Sequence, residues 1–378
     1  MRVAVVSESA LTRTNGVTNS VRHVVSGLRN LGHECLIVGP GPDSWRISPH
    51  GSEVRIPARR LPGLPEVDVA IGRVTPLARI LATFQPDVIH LASPFLLGTR
   101  AAMAAHELGI PTIAVFQTDV AGFARHYRLS HLRAFADAII RQVHRRATLT
   151  LSPSQAATHY LESLGIRRIR TWSRGVDHNL FRPQARNPSL HLTWGRGRPV
   201  VGYVGRLAAE KQVHMMRALS QRSDITVVII GDGPERASLA RAMPRAAFVG
   251  RLEGRGLATA IATLDVLVAP GEHETFCQVI QEAMASGVPV VAPAVGGPLD
   301  LINDAITGYL YPPGDGASME IIVDRLLSNP NGRERIVRNA LLSVAGRSWT
   351  ALVRQLIEHY QEARDVQTSD LRRAKVAA

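Results

Sequence analysis

The chain has 378 residues, of which 45% are hydrophobic, and a formal net charge of +13. That length supports two hydrophobic cores, since domains usually hold roughly 100–200 residues. Two cysteines, Cys35 and Cys277, exclude a disulfide framework or a zinc cluster and suit a reducing cytoplasm.

No window approaches the ~20 uninterrupted apolar residues of a membrane span. The opening "MRVAVVSES" runs straight into a strand-like segment, so no cleavable leader is expected. The positive charge favours an anionic partner such as a nucleotide, a nucleic acid or a lipid headgroup. An arginine-rich composition without functional meaning is the plainer alternative. Aromatic residues make up 5% of the chain and are scattered, which lacks the interleaving of single-strand binders, so no nucleic acid is expected.

In chain order, "VAVVS" is followed by a helical stretch from about Val17 to Leu31, then by "CLIVGP", "DVIHLAS", "PTIAVF" and "TLTLSPS". Short unbroken Val/Ile/Leu runs read as strands covered on both faces, hence a parallel sheet with crossover helices. The pattern restarts with "PVVGYVG", "ITVVIIGDG", "AAFVGRL", "LDVLVAP" and "PVVAPAV". Two alternating series predict an α/β protein of two doubly wound domains. The join is placed in "FRPQARNPSLHLTWGRGRP", rich in Pro, Gly and Arg. The expected organisation is residues 1–185, residues 186–345, a C-terminal helix over 346–365 that packs back on the first domain, and a frayed tail over 366–378.

Ligands of such sheets bind outside the carboxyl ends of the strands, and several candidate residues fall there. "TRTNGVTNS" puts Asn15-Gly16 before a helix, able to aim backbone N–H groups at a phosphate or serving only as a turn. In "GYVGRLAAEK", Arg206 follows a strand and Lys211 comes five residues later. Two such cations can clamp a diphosphate, unless Glu210 and Lys211 form an exposed pair. "GEHETFCQVIQEAMASGVP" sets Glu274 at a strand end and Glu282 about two helical turns on. Carboxylates there can accept hydrogen bonds from vicinal hydroxyls, or simply answer a helix dipole. "GDGP", Gly231–Pro234, can cradle a donor or only turn a strand into a helix, and the turn is the favoured reading. His23, His33, His159 and His214 show no metal-ligand spacing, and "EVD", Glu66–Asp68, lies in a Pro-rich loop.

"GRLAAEK", "IGDGP" and "E-TFCQVIQ-E-AMASGVPVVA", in this order, resemble glycosyltransferase family 4. The resemblance runs from "VAVVSES" to "HYQEA" and implies the GT-B architecture, two facing Rossmann-like doubly wound domains, and retaining sugar transfer. It implies that Glu274 touches the donor sugar, Glu282 the nucleotide ribose, Phe276 and Cys277 the phosphates or sugar through their backbone, and Arg206 and Lys211 the diphosphate, with Gly16 beside it. The base would lie near Arg251 and Leu252. Where the family often has histidine, this chain has Gln117, which can position a sugar but cannot act as a base, leaving Asp119 to take the acceptor proton. Cys277 stands where the family often has glycine. No Asp-x-Asp follows a strand, so metal-independent transfer without a cofactor is expected.

"NGVTNSV", "FQTDVAGFARHY" and "SRGVD" are most similar to the actinobacterial members that move α-mannose from GDP-mannose to glycolipids, of the glucuronosyl diacylglycerol or phosphatidylinositol mannoside type. A lipid acceptor has independent support in residues 124–147. Leu129, Leu132, Ala136, Ile139 and Val143 form an apolar stripe amid Arg125, Arg128, Arg133, Arg141, Arg145 and Arg146. Such a segment suits an anionic membrane surface and a peripheral place on the inner face of the plasma membrane. The plainer reading packs the stripe on the sheet. Rival functions are a UDP-sugar-dependent transferase or epimerase on the same fold, and a basic lipid- or nucleic-acid-binding protein on a degenerate scaffold.

Overall fold

The computed structural model describes residues 1–8, 16–41, 46–47, 53–61, 64–70, 74–92, 96–117 and 130–377. The chain divides into two compact units, Met1–Arg174 with Trp349–Ala378, and Gly175–Ser348.

Among the described residues the first unit holds a nine-stranded sheet. Across it run Arg46–Ile47, Glu53–Leu61, Glu34–Gly41, Arg2–Val6, Val88–Leu91, Thr112–Val115, Leu149–Ser152 and Ile169–Thr171, with Leu64–Ala70 paired to Glu53–Leu61. Pairing is parallel from Glu53–Leu61 through Ile169–Thr171. The pairs that Arg46–Ile47 and Leu64–Ala70 make with Glu53–Leu61 are antiparallel. The first strand shows why its residues are apolar without a break. Val3 and Val5 enter one core, Ala4 and Val6 the other, because successive side chains point to opposite faces. The helix Gly16–Asn30 covers the first of these cores with Val21, Val24, Val25 and Leu28, at helical spacing.

The helix Trp349–Ala377 shares that core through Leu352, Val353, Leu356, Tyr360 and Ala363. Trp172 donates its indole N–H to Leu352 O at 2.9 Å, and Tyr360 Oη meets His90 Nδ1 at 2.9 Å. Burial pushes His90 down to about 4, so this buried imidazole is neutral at physiological pH. A Cβ on Gly27 would lie 2.8 Å from Val353 Cγ2, which explains a glycine in the middle of a helix.

The second unit is a six-stranded parallel sheet in the order Ala247–Gly250, Thr226–Ile230, Val200–Val204, Val266–Val268, Val290–Pro293, Tyr309–Tyr311. The same alternation fills two cores. Val228 and Ile230 point one way, Val227 and Ile229 the other.

Several details differ from the sequence expectation. Residues 181–199 have the composition of a join, yet they are ordered parts of the second unit, as the turn Pro183–Ala185 and the helix Pro188–Gly195. Asp265 explains this. Its carboxylate accepts from Arg186 Nη2 at 2.9 Å, meets His191 Nε2 at 2.7 Å and accepts the Val200 N–H at 2.8 Å. Residues 366–377 continue the last helix instead of fraying. Arg168 Nη1 donates to Asp370 Oδ2 at 2.8 Å there, and Thr148 Oγ1 to Gln367 Oε1 at 3.3 Å. Glu66 and Asp68 belong to the strand Leu64–Ala70, not to a loop.

Because Leu356 is fully buried beneath the last helix, Leu356→Ala is expected to cost about 3 kcal/mol. A urea titration showing less than about 1 kcal/mol would contradict the packing described.

Candidate active site

In the second unit, strands Val200–Val204, Thr226–Ile230 and Ala247–Gly250 step to one side, then Val266–Val268, Val290–Pro293 and Tyr309–Tyr311 to the other. The order reverses between Val200–Val204 and Val266–Val268, and open α/β sheets bind ligands at the carboxyl end of such a reversal. Lys211 follows the first of these strands and Glu274 the second. They meet there, with Nζ donating to Oε1 at 2.6 Å and side chains 25% and 19% exposed. Burial lowers the Lys211 pKa, but the Glu274 carboxylate, with Cys277 and Glu210, raises it above the usual lysine range. The ammonium is therefore retained. The exposed Glu210/Lys211 pair does not form, since Glu210 is 8% exposed and Lys211 turns to Glu274.

Two glycine turns fix the loops that carry this pair. The loop of exposed Arg206 is tied by Gly205 N–H to Ile230 O at 3.0 Å, by Leu207 N–H to Asp232 O at 2.9 Å, and by Glu235 N–H to Leu207 O at 2.9 Å. A Cβ at Gly231 would sit 1.8 Å from Gly205 O, and one at Gly233 2.3 Å from Leu207 O. "GDGP" is thus a brace for the Arg206–Lys211 loop, as a turn whose glycines permit backbone contact. Tyr203 Oη donates to Arg206 O at 2.8 Å from below. On the other side, Gly297 N–H donates to Glu274 O at 2.8 Å, and a Cβ on Gly297 would lie 2.6 Å from Phe276 Cα.

Phe276 is buried. Cys277 caps the helix Gln278–Ala285 with φ 64°, a conformation L-residues rarely adopt and glycine adopts freely. Its thiol is held well above the ordinary range by burial first, then by Glu274 and, more weakly, by Glu282, against the lowering effect of Lys211. At the sheet edge, Arg251 pairs with Glu253 at 2.8 Å, and Leu252 packs against the core of this unit.

In the first unit, Gly16 opens its helix, and Gln117, 7% exposed, follows the strand Thr112–Val115. Asp119, Arg125 and Arg128 lie outside the described residues, as does the side chain of Arg133. The helix Ser130–Arg146 buries Ala136 and Val143 and packs half-buried Ile139 against a core of this unit, so this part of the apolar stripe serves the core. Its cations are partly engaged. Arg141 Nε donates to Leu164 O at 3.3 Å and Arg145 Nε to Gly165 O at 3.4 Å, while Arg146 is exposed. Such contacts suit cations at a helix C-terminus, here that of Gln155–Ser163.

Two residues at strand ends were missed. Arg174, inside the quoted "SRGVD", reaches both Gly16 and Gln117. Glu8, just past the first strand, accepts the N–H groups of Leu97 and Gly98 (3.0 Å for Gly98) at the start of the helix Leu96–Leu108. The signal for both was position, a charged residue two or three places beyond a strand. Burial pushes the Glu8 carboxyl up to about 7 from 4.5, against the lowering effects of those two N–H groups and of Arg100. Among the described residues no group of three His, Cys, Asp or Glu is placed to hold a metal ion, and no helix is long and apolar enough to cross a membrane.

Two doubly wound units, one with a cation–carboxylate pair at the strand-order reversal, define a Rossmann-like α/β fold with a candidate ligand site. The model of Glycosyltransferase Family 4 matches residues 14–180, and that of Glycosyl transferases group 1 matches residues 191–342. The chain is 45% identical over 368 residues to a GDP-mannose-dependent alpha-mannosyltransferase of Mycolicibacterium smegmatis, covering 96% of this chain and 97% of the relative. It is 44% identical to the protein of the same description from Mycobacterium tuberculosis, covering 98% of each. A solved structure of Anabaena HepE in complex with UDP superposes with TM-score 0.77 at 19% identity, over 96% of this chain and 100% of that one, and shows the GT-B fold. The chain belongs to glycosyltransferase family 4 and is a glycosyltransferase.

Two outcomes follow. Glu8 binds a proton in the folded state that the unfolded chain releases, so stability is expected to fall as pH rises from about 4.5 through about 7 and then level off. The contribution is of order 3 kcal/mol. Denaturant titrations across that range check it, and Glu8→Gln should remove the slope. Gly297→Ala is expected to cost more than about 2 kcal/mol. Gly256→Ala, where a Cβ meets nothing within 4 Å, should be neutral or stabilising. Equal midpoints for the two variants would refute the close packing of Gly297 on Phe276.

Proposed function

We propose that the protein is a retaining, metal-independent α-mannosyltransferase that uses GDP-mannose and a membrane glycolipid acceptor. The observation that carries this is the Lys211–Glu274 contact at 2.6 Å, at the strand reversal of the second unit. A cation and a carboxylate there match the two ends of a sugar diphosphate. Lys211, with Arg206, takes the diphosphate, and Glu274 accepts hydrogen bonds from sugar hydroxyls. Glu282 takes the ribose, and backbone groups of Phe276, Cys277, Arg251 and Leu252 take the remaining nucleotide and phosphate contacts. The relatives with 44–45% identity are described as GDP-mannose-dependent, which supports mannose over the UDP-sugar alternatives.

In the reaction the bond from the anomeric carbon to the β-phosphate oxygen breaks and its electron pair leaves with the diphosphate. The acceptor hydroxyl forms its bond on the same face, and its proton passes to a base, for which Asp119 is our candidate. Cations aimed at the leaving diphosphate stabilise charge where it develops, each worth about 3–4 kcal/mol by analogy with an oxyanion donor. Gln117 positions a sugar hydroxyl.

For the acceptor, the exposed arginines of Ser130–Arg146 and the net charge of +13 support recruitment to an anionic bilayer from the cytoplasmic side. The core uses part of that helix's apolar stripe, so the attraction is chiefly electrostatic and should weaken with salt.

The test is GDP release from GDP-mannose, against UDP-glucose and UDP-N-acetylglucosamine, with and without a lipid extract and a chelator. Lipid-dependent release from GDP-mannose alone, unaffected by chelator, is expected. Lys211→Ala and Glu274→Gln should lower kcat by about 10²–10³ with folding intact. A fully active Glu274→Ala would sink the assignment, and release from a UDP-sugar instead would discard mannose.

A further inference from the structure

Gln117 and Arg174 meet beyond the carboxyl ends of Thr112–Val115 and Ile169–Thr171 in the first unit. Arg174 Nη2 donates to Gln117 Oε1 at 3.3 Å and lies 3.5 Å from the Gln117 main-chain oxygen, while Nη1 donates to Gly16 O at 3.2 Å. One guanidinium thus ties the start of the helix Gly16–Asn30 to the side chain that replaces the family's histidine. Gly16 has a steric reason as well, since a Cβ there would lie 3.1 Å from Arg174 Nη1.

A guanidinium has N–H donors and no acceptor. A carboxamide has an oxygen that accepts and a nitrogen that donates, and the two are distinguished by their partners. Against Arg174 only the oxygen of Gln117 can be satisfied. A flipped amide would set donor against donor at a residue that is 7% exposed, where the mismatch has little water to relieve it. The nitrogen is therefore the end turned away from Arg174.

We propose that Arg174 is a positioning residue that locks the Gln117 carboxamide, so that position 117 offers a sugar hydroxyl a hydrogen-bond donor and not an acceptor. This rests on the reading of Gln117 as a sugar-positioning group. It goes further, because it fixes the polarity of that contact and names the residue that sets it.

The decisive variant is Gln117→Glu. Glutamate is nearly isosteric and gives Arg174 a charge-assisted partner, so the fold is retained. It has no donor hydrogen when ionised. On the nucleotide sugar that the wild type turns over, we expect Gln117→Glu to melt at or above the wild-type temperature while kcat falls about tenfold or more, a loss of about 1.4 kcal/mol or greater. The donor KM should change less than kcat. Arg174→Leu should lower kcat similarly, and the double variant Gln117→Ala/Arg174→Leu should be no slower than Gln117→Ala alone. If Arg174→Leu does not fold, Arg174→Lys takes its place, since a single ammonium lacks the fork that reaches Gly16 and Gln117 together.

A purely structural Arg174 gives the opposite pattern, an active Gln117→Glu and losses that add in full, and either result overturns the proposal. If Lys211→Ala is dead while Gln117→Glu is fully active, the proposed function stands and only this inference fails. No turnover by wild type with any of the three donors overturns both.

Discussion

The arrangement of the second unit depends on holding a lysine against a glutamate at the one place where its sheet changes direction. Lys211 and Glu274 come from loops after neighbouring strands, Val200–Val204 and Val266–Val268. Both loops are held from beside. The turn after Thr226–Ile230 presses glycine backbone onto the Arg206 loop, and the turn after Val290–Pro293 presses glycine backbone onto the Glu274 loop. Contact of that closeness requires the absence of a side chain, so the charges are set by residues that carry none. With Lys211 lodged on Glu274, the ammonium is kept charged by its neighbour although burial opposes it.

The first unit repeats the plan with different chemistry. Its sheet also reverses direction beside its opening strand, between Arg2–Val6 and Val88–Leu91, and a carboxylate again spans the reversal. Glu8 meets a helix N-terminus instead of a lysine, and burial leaves it poorly able to hold its charge. The basic composition is likewise spent locally in many places. Arg168 and Arg170 fasten the last helix through Asp370 and Glu362, Arg186 fastens Asp265, and Arg222 holds Asp224 and Asp324. Each of these pairs sets a cation against a carboxylate, so the net charge of +13 remains as an excess of cations beyond them.

The two parallel series were legible because a strand buried on both faces has no polar positions. "VAVVS" and "ITVVIIGDG" carry that signature, and the structure places strands at Arg2–Val6 and Thr226–Ile230. What escaped was structure built by single distant contacts. Residues 181–199 have linker composition, and only Asp265, far along the chain, reveals why they are ordered. The short strands Ile169–Thr171 and Tyr309–Tyr311 hold too few residues for a period to emerge. In the site, Lys211 and Glu274 could be named from position and family likeness, whereas their mutual contact could not. Arg174 was visible within "SRGVD" but had no role until Gly16 and Gln117 came within its reach.

The cysteines have a consequence of another kind. There are two in the whole chain, and each compact unit contains one. Both are buried, Cys35 with its thiol pushed up to about 11 and Cys277 with its thiol held well above the ordinary range. Neither can meet an alkylating reagent as thiolate until its surroundings open. Cys277 sits at the bend between Phe276 and the helix Gln278–Ala285, beside the Lys211–Glu274 contact, while Cys35 sits on a central strand. The protein therefore carries a native clock in each half. Alkylation of Cys277 times the breathing of the Glu274 loop, and alkylation of Cys35 times the opening of the first core, without any label being introduced.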